Sequence, residues 1–337
     1  MTILSVRKKI VFLVAVLFSI VAVLNFMAAP AAQALTLIPP SLEIALTPGQ
    51  PTTTIIKLFN ESQNKLELYT EVRSFTAKGE TGQPDFDFTG EPTGLSTWIE
   101  VEKGPIVLES GQRREIVVKF SPPVDADPGG HYATVFFSTT PPDQGQVRIS
   151  SKLGTLLLAK VAGAVEEEGS VSEFGLTSGR QTFSRLPVDL YLKFSNTGNV
   201  HLRPTGAISI TNMFGKATAE LEVNASRGAT LTDSIRKYEA TWEKAEAKAT
   251  TGSWLSDFFR EYANEKNNFA LGKYTAKLTL NIGSSNVQDT ASVAFWVIPW
   301  HIITVWGVVA VLLLILLVVL IKKYNAWIVK KAGSEKK

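Results

Sequence analysis

Twelve residues starting at Lys57, KLFNESQNKLEL, return in altered form as KFSNTGNVHLRP starting at Lys193. Each copy is a strand-like run that ends in Asn three residues after the Lys, passes through a polar turn and starts a new run. The two asparagines, Asn60 and Asn196, are 136 positions apart. Further along, SGQRREIVVKF (110–120) resembles DSIRKYEATW (233–242), and GGHYATVFF (129–137) resembles LGKYTAKLTL (271–280), with Tyr132 and Tyr274 142 positions apart. Three matches in the same order at nearly the same offset predict two units of one topology in tandem.

The repeated runs, among them TTTIIKLFN (52–60), VDLYLKFSN (188–196) and YTAKLTLNI (274–282), alternate apolar and polar residues between Pro, Gly and Asn punctuation. Period-two alternation reads as half-buried strands. The fold class expected is all-β: two tandem immunoglobulin-like β-sandwiches, with a short helical insertion in the second and a C-terminal transmembrane helix. Asn196, Thr197, Gly198 and Asn199 read as the turn of a hairpin rather than a ligand cluster, because Asn and Gly tolerate positive φ and Asn bonds nearby backbone. His201 then opens the next strand. Tyr132 and Tyr274 enter the penultimate strand of each repeat, where a hydroxyl can tie a corner.

The ends of the chain set its topology. Arg7, Lys8 and Lys9 precede the apolar run IVFLVAVLFSIVAVL and the small residues AAPAAQA, the three-part pattern of a secretory signal over residues 1–34; the run is also long enough to approach an anchor helix. From Ile302 to Ile321 the chain carries 20 residues without a charge. At 1.5 Å per residue that is about 30 Å, the thickness of a hydrocarbon core. Trp296, Trp300 and Trp306 form an aromatic belt at its outer end, and six lysines follow it, so the tail 322–337 is expected in the cytoplasm. Residues 35–298 then lie outside the membrane, extracellular or periplasmic. Removing three basic residues in the signal, and six basic and one acidic in the tail, leaves 25 basic and 30 acidic residues in this part. The basic excess of the whole chain sits at the membrane, which argues against nucleic acid as a partner. With no cysteine, the chain forms no disulfide, thiolate or lipoprotein anchor.

The first domain is expected over 35–168 and the second over 169–298, followed by the span at 299–321; Glu166, Glu167 and Glu168 read as a polar joint. The segment from the KF or TW strand end to the Tyr of each repeat is 20 residues longer in the second copy, Trp242 to Tyr274 against Phe120 to Tyr132. Within this insertion (243–268), Ser253 is a candidate helix cap, and Trp254, Leu255, Phe258, Phe259 and Tyr262 share one helical face. That face either packs over its own sandwich or forms a surface for a partner or the bilayer.

Catalytic patterns are not present. The three histidines, at 131, 201 and 301, lie in different elements without ligand spacing, and there is no nucleophile elbow, phosphate loop or dinucleotide fingerprint. The Ser-x-x-Lys matches at Ser62 and Ser234 lack companion motifs. No metal, cofactor or enzymatic activity is expected. Asp85 and Asp87, in the long Gly-rich loop 76–94, with Trp98 and Tyr132, are the candidate ligand contacts, since sugars stack on aromatics and bond carboxylates.

LEIALTPGQPTTTIIKLFN (42–60), then LSTWIEVEKGPIVLESGQ and PPVDADPGGHYATVFF, resembles the first domain of the bacterial WxL-interacting protein family, and LKFSNTGNVHLRPTGAISITNMFGK with SIRKYEATW and GKYTAKLTL is similar to its second. The resemblance implies peptidoglycan binding by the first domain and attachment to a surface protein by the second, without catalysis. A weaker similarity, to pilus chaperones, covers the first domain. The function expected is a membrane-anchored surface protein binding a cell-wall polymer or another surface protein; the alternative is a chaperone-like module that pairs a strand edge with an exported subunit.

Overall fold

The alternation of TTTIIKLFN becomes a strand because its β-branched residues suit a pleated surface, with Ile56 and Leu58 wholly buried and Lys57 outward between them. The computed structural model describes residues 35–88, 90–141, 152–245, 252–284 and 287–334. The signal segment 1–34, residues 142–151 and residues 246–251 of the insertion thus lie outside the described residues. Two compact units result: the first takes the chain up to Phe75, Phe86–Asp127 and His131–Ala162, and the second takes Thr76–Asp85, Pro128–Gly130 and the chain from Gly163 on.

Up to Val161 the chain forms β1 (Leu35–Ile38), β2 (Ser41–Leu46), β3 (Thr52–Asn60), β4 (Leu66–Lys78), β5 (Gln83–Phe86), a 3-10 turn at Gly94–Trp98, β6 (Ile99–Val101), β7 (Ile106–Leu108), β8 (Arg113–Phe120), β9 (Gly129–Ser138) and β10 (Lys152–Val161). One sheet has the order β1-β3-β8-β6 and the other β2-β10-β9-β4-β5, with β7 on β4. Between them lie Ile56, Leu58, Ile116, Phe120, Val135 and Phe137.

The second unit contains β11 (Gly169–Leu176), β12 (Thr182–Phe183), β13 (Val188–Asn196), β14 (Thr205–Asn212), β15 (Ala217–Val223), β16 (Ser234–Trp242), helix α1 (Trp254–Asn267), β17 (Gly272–Ile282), β18 (Val287–Val297) and helix α2 (Trp300–Ser334). Its sheets run β11-β13-β16 and β12-β18-β17-β14-β15. Phe194, Trp242, Tyr274 and Phe295 anchor its core, with Trp242 and Tyr274 ring centroids 4.9 Å apart. Each buried side chain of this size contributes about 1.5–3 kcal/mol, which stabilises a sheet pair without disulfides.

The repeat read from the sequence is visible strand by strand. In both halves the first strand pairs antiparallel with the strand that ends in the repeated Asn (β1 on β3, β11 on β13), and the chain then crosses to the other sheet and pairs parallel with the last strand (β2 on β10, β12 on β18). The hairpin expected at Asn196–Asn199 is a different connection. β13 and β14 belong to different sheets, so these residues carry the chain from one layer to the other. The reason is the buried Asn196 side chain, whose amide nitrogen donates to the carbonyls of Val200, Thr230 and Leu231 and whose oxygen accepts the Gly198 N–H. Asn60 does the same in the first unit, donating to Asn64, Leu108 and Glu109 and accepting from Ser62.

The helix expected in the insertion spans Trp254–Asn267. Ser253 stands at its N-cap position but makes no capping hydrogen bond through its side chain; Ser256 Oγ donates to the Ser253 carbonyl instead. Among the described residues one helix, over Trp300–Ile328, is long and apolar enough to cross a bilayer. It continues without a break through Lys322 and Lys323 to Ser334, longer than the 299–321 segment read from the sequence. Lysines are good helix formers, so the boundary of the apolar run is not the boundary of the helix.

Candidate functional site

Three surfaces stand out. The first is a sheet edge. In the β1-β3-β8 sheet, β1 pairs only with Lys57–Asn60 before the chain leaves for the other sheet, whereas β8 pairs with β3 as far as Thr52. Among the described pairings, Thr52–Ile56 therefore has a strand on one side alone, and alternate residues turn backbone N–H and C=O outward. On the outer face beside this edge, Ile55 lies directly opposite Val117, and both are exposed, at 43% and 57%; Ile38, at the end of β1, is exposed as well. Ion pairs flank this aliphatic row on either side: Lys57 with Glu115 at 3.2 Å and Lys119 with Glu100 at 3.0 Å.

The second surface covers the outer face of the other sheet of the first unit. Because β9 alternates, Val135 and Phe137 face the core while Tyr132, Thr134 and Phe136 face out. Phe75, Phe86, Phe88 and Phe136 gather there with centroid separations of 5.0–5.8 Å, and Tyr132 joins through Phe75 at 5.8 Å. Gly154 on β10 leaves the room that Phe136 occupies, since a Cβ there would sit 2.9 Å from its ring. At the rim, the Lys152 ammonium lies 4.4 Å from the centroid of exposed Phe88 and pairs with Glu71, which also accepts from Arg73 at 2.8 Å. Burial pushes the Glu71 carboxyl up, and Lys152 and Arg73 outweigh it, holding the group below the usual carboxylate range.

The four residues singled out as ligand contacts are divided by this geometry. Tyr132 belongs to the aromatic shelf, and exposed Asp85 and Asp87 flank Phe86 on the chain beside it. Asp87 Oδ1 accepts the Gly90 N–H. Trp98 lies elsewhere: half-buried at the end of the 3-10 turn, it packs against the core and meets the His131 ring at 4.8 Å. The shelf's phenylalanines escaped the sequence reading, although the period-two DFDF (85–88) signals them. Among the described residues no group of three or more His, Asp or Glu side chains is placed to hold a metal.

The third surface is on α1. Of the aromatic face read from the sequence, Phe258 is half-buried with its ring 5.0 Å from that of His301, and Tyr262 is also half-buried. Trp254, Leu255 and Phe259 point into solvent, Trp254 at 79% exposure. The helix is held instead by polar contacts. Arg185 grips Glu261 at 2.8 and 3.3 Å, and the Glu265 carboxylate, fully buried, accepts the backbone N–H groups of His301 and Ile302 at 3.0 Å and lies 2.7 Å from His301 Nδ1. Glu265 thus caps the first turn of α2, where the orphan donors and the positive end of the helix dipole favour an anion. The Arg185 guanidinium keeps the Glu261 carboxyl below its ordinary value.

No family model matches the chain, and no curated protein does. Solved structures similar to it include the class 5 fimbriae chaperone CfaA (10% identity, 79% of this chain and 100% of that one, TM-score 0.36), the Escherichia coli chaperone DraB (12%, 78% and 97%, 0.34) and the Pseudomonas aeruginosa chaperone CupB2 (6%, 74% and 96%, 0.30). At these TM-scores the similarity carries no residue or role across to this chain.

Proposed function

We propose that this protein is a non-catalytic, membrane-anchored binding protein with two immunoglobulin-like sandwiches outside the membrane, which engages an extended segment of an exported or surface polypeptide by strand addition. The observation that carries this reading is the half-paired edge of β3. An incoming strand that continues the line of β1 along Thr52–Ile56 meets free backbone donors and acceptors and sets its side chains beside Ile55 and Val117, an aliphatic row between two ion pairs. The apolar helix α2, which starts three residues after the last strand, is the anchor that holds the sandwiches at the membrane.

The test is isolation of the full-length protein from its native membranes under mild detergent, followed by mass spectrometry of what accompanies it. Wild type is expected to carry a polypeptide that Ile55→Lys and Val117→Lys variants lose while keeping wild-type circular dichroism, because both positions are exposed. Retention of the polypeptide by both variants would refute the edge.

A second reading rests on the aromatic shelf with exposed Phe88, Asp85 and Asp87, and agrees with the resemblance to WxL-interacting proteins: binding of a cell-wall polymer by the first sandwich. Sedimentation with isolated peptidoglycan distinguishes the two. Saturable binding that Phe88→Ala abolishes and Val117→Lys leaves intact supports the polymer.

A further inference from the structure

We propose that the end of the second unit from which α2 departs is a lipid-contact surface, seated on the headgroup region of the bilayer that α2 crosses. The inference rests on the membrane-anchored reading above. Two separate elements carry it.

The first is α1, whose fully buried residues are polar and whose most exposed ones are apolar. At about 100° per residue, Asp257, Glu261, Asn264, Glu265 and Asn268 fall on one side of the helix. That polar side is the one held down, by Arg185, by the first turn of α2 and by the Ala245 N–H that Asn268 accepts. Leu255 and Phe259 fall on the adjoining side and stand free, as does Trp254 in the first turn, while Phe258 and Tyr262 between the two sides are half-buried. A helix on a water-soluble surface buries its apolar stripe and exposes its polar one. The reverse arrangement is stabilised by lipid and not by water.

The second element is the β14–β15 turn. Strand register puts Asn212 opposite Tyr274 and Gly272 opposite Val297, so this turn, the start of β17 and the end of β18 share one end of the sheet. Gly272 has φ +105°, and a Cβ there would lie 2.3 Å from Met213 Cε, which sets the turn against the strand. At its tip Phe214 is 84% exposed, and Leu271 beside it is exposed too. Trp300 stands three positions after Val297, a reach of about 10 Å at most. Continuity with α2 therefore selects the occupant. Glu265 and Phe258 of α1 touch the first turn of the apolar helix, so the apolar rim begins at the level where the bilayer around α2 begins, the depth at which Trp and Phe are favoured.

The absence of native cysteine permits single-site spin labels without other changes. Full-length chains carrying Phe259→Cys, Phe214→Cys, Asn267→Cys or Leu316→Cys are reconstituted in vesicles of phosphatidylcholine and phosphatidylglycerol. Accessibility to oxygen is then compared with accessibility to a water-soluble nickel chelate. Labels at 259, 214 and 316 are expected on the lipid side, with 267, at the C-terminal end of α1, in water. Labels at 259 and 214 in water with 316 in lipid would overturn the lipid-contact surface while leaving the anchor standing, and would give the rim to a protein partner. A label at 316 in water would overturn the anchor, and this inference with it.

Discussion

Asn60 and Asn196 each tie three carbonyls from separate stretches of chain to one buried amide, at the point where a strand leaves one sheet for the other. Replacing either by Ala removes these bonds and leaves a small buried gap, and Asn196→Ala is expected to lower stability by about 1–3 kcal/mol, read as a shift in the denaturation midpoint of the full-length protein. Replacement of exposed Asn267 is the control and should cost little. Glu71 makes a pH-dependent contribution. Its carboxyl is held below its ordinary value in the folded state, so its stabilisation is complete above the usual carboxylate range and is lost as pH falls through the folded-state value. Glu71→Gln is expected to flatten the acid side of the stability profile; identical profiles for variant and wild type would show that Lys152 and Arg73 do not hold the charge. These pairings show where residue-level reading stopped. The repeat marked both asparagines as equivalent, and turn chemistry explained Asn in such a place, but only the distant carbonyls of residues 108, 109, 230 and 231 show why the side chain must be buried.

At the scale of elements, α1 and α2 form a junction rather than two independent helices. The Glu265 carboxylate supplies acceptors to two orphan backbone donors of α2, and Arg185 holds α1 from the sandwich side. Glu265→Ala is expected to cost about 1–2 kcal/mol at this cap and to speed amide hydrogen exchange through α1 and the first turn of α2, with the β13–β16 ladder unchanged. Uniform protection in variant and wild type would place the stability of α1 elsewhere. The apolar stripe of α1 was legible from the spacing of Trp254, Leu255, Phe258, Phe259 and Tyr262. Its environment was not, because a helical period says which residues share a side and nothing about which side the neighbours occupy. The choice is made by Arg185 and the start of α2, 76 and 36 positions away from their carboxylate partners.

For the whole molecule, the anchored reading predicts that the full chain stays with membranes through alkaline carbonate washing, and that a chain ended after Ile298 is released as a folded protein. Release of the full chain by carbonate would rule the anchor out. What the sequence determined by itself is what depends on neighbours along the chain: alternating strands, a duplicated order of strands, a 20-residue apolar run and the location of the inserted helix. The tertiary structure decided the rest. It converted an expected hairpin into a crossover between sheets, separated Trp98 from Tyr132 by turning them to different faces, left Thr52–Ile56 half-paired by sending β1's successor to the other sheet, and turned the polar side of α1 inward. Each outcome depends on contacts between residues far apart in the chain, whose energies local patterning does not contain: a buried carboxylate against a helix terminus, or a ring against the opposite sheet face, is stable only once the partner element has been brought to it.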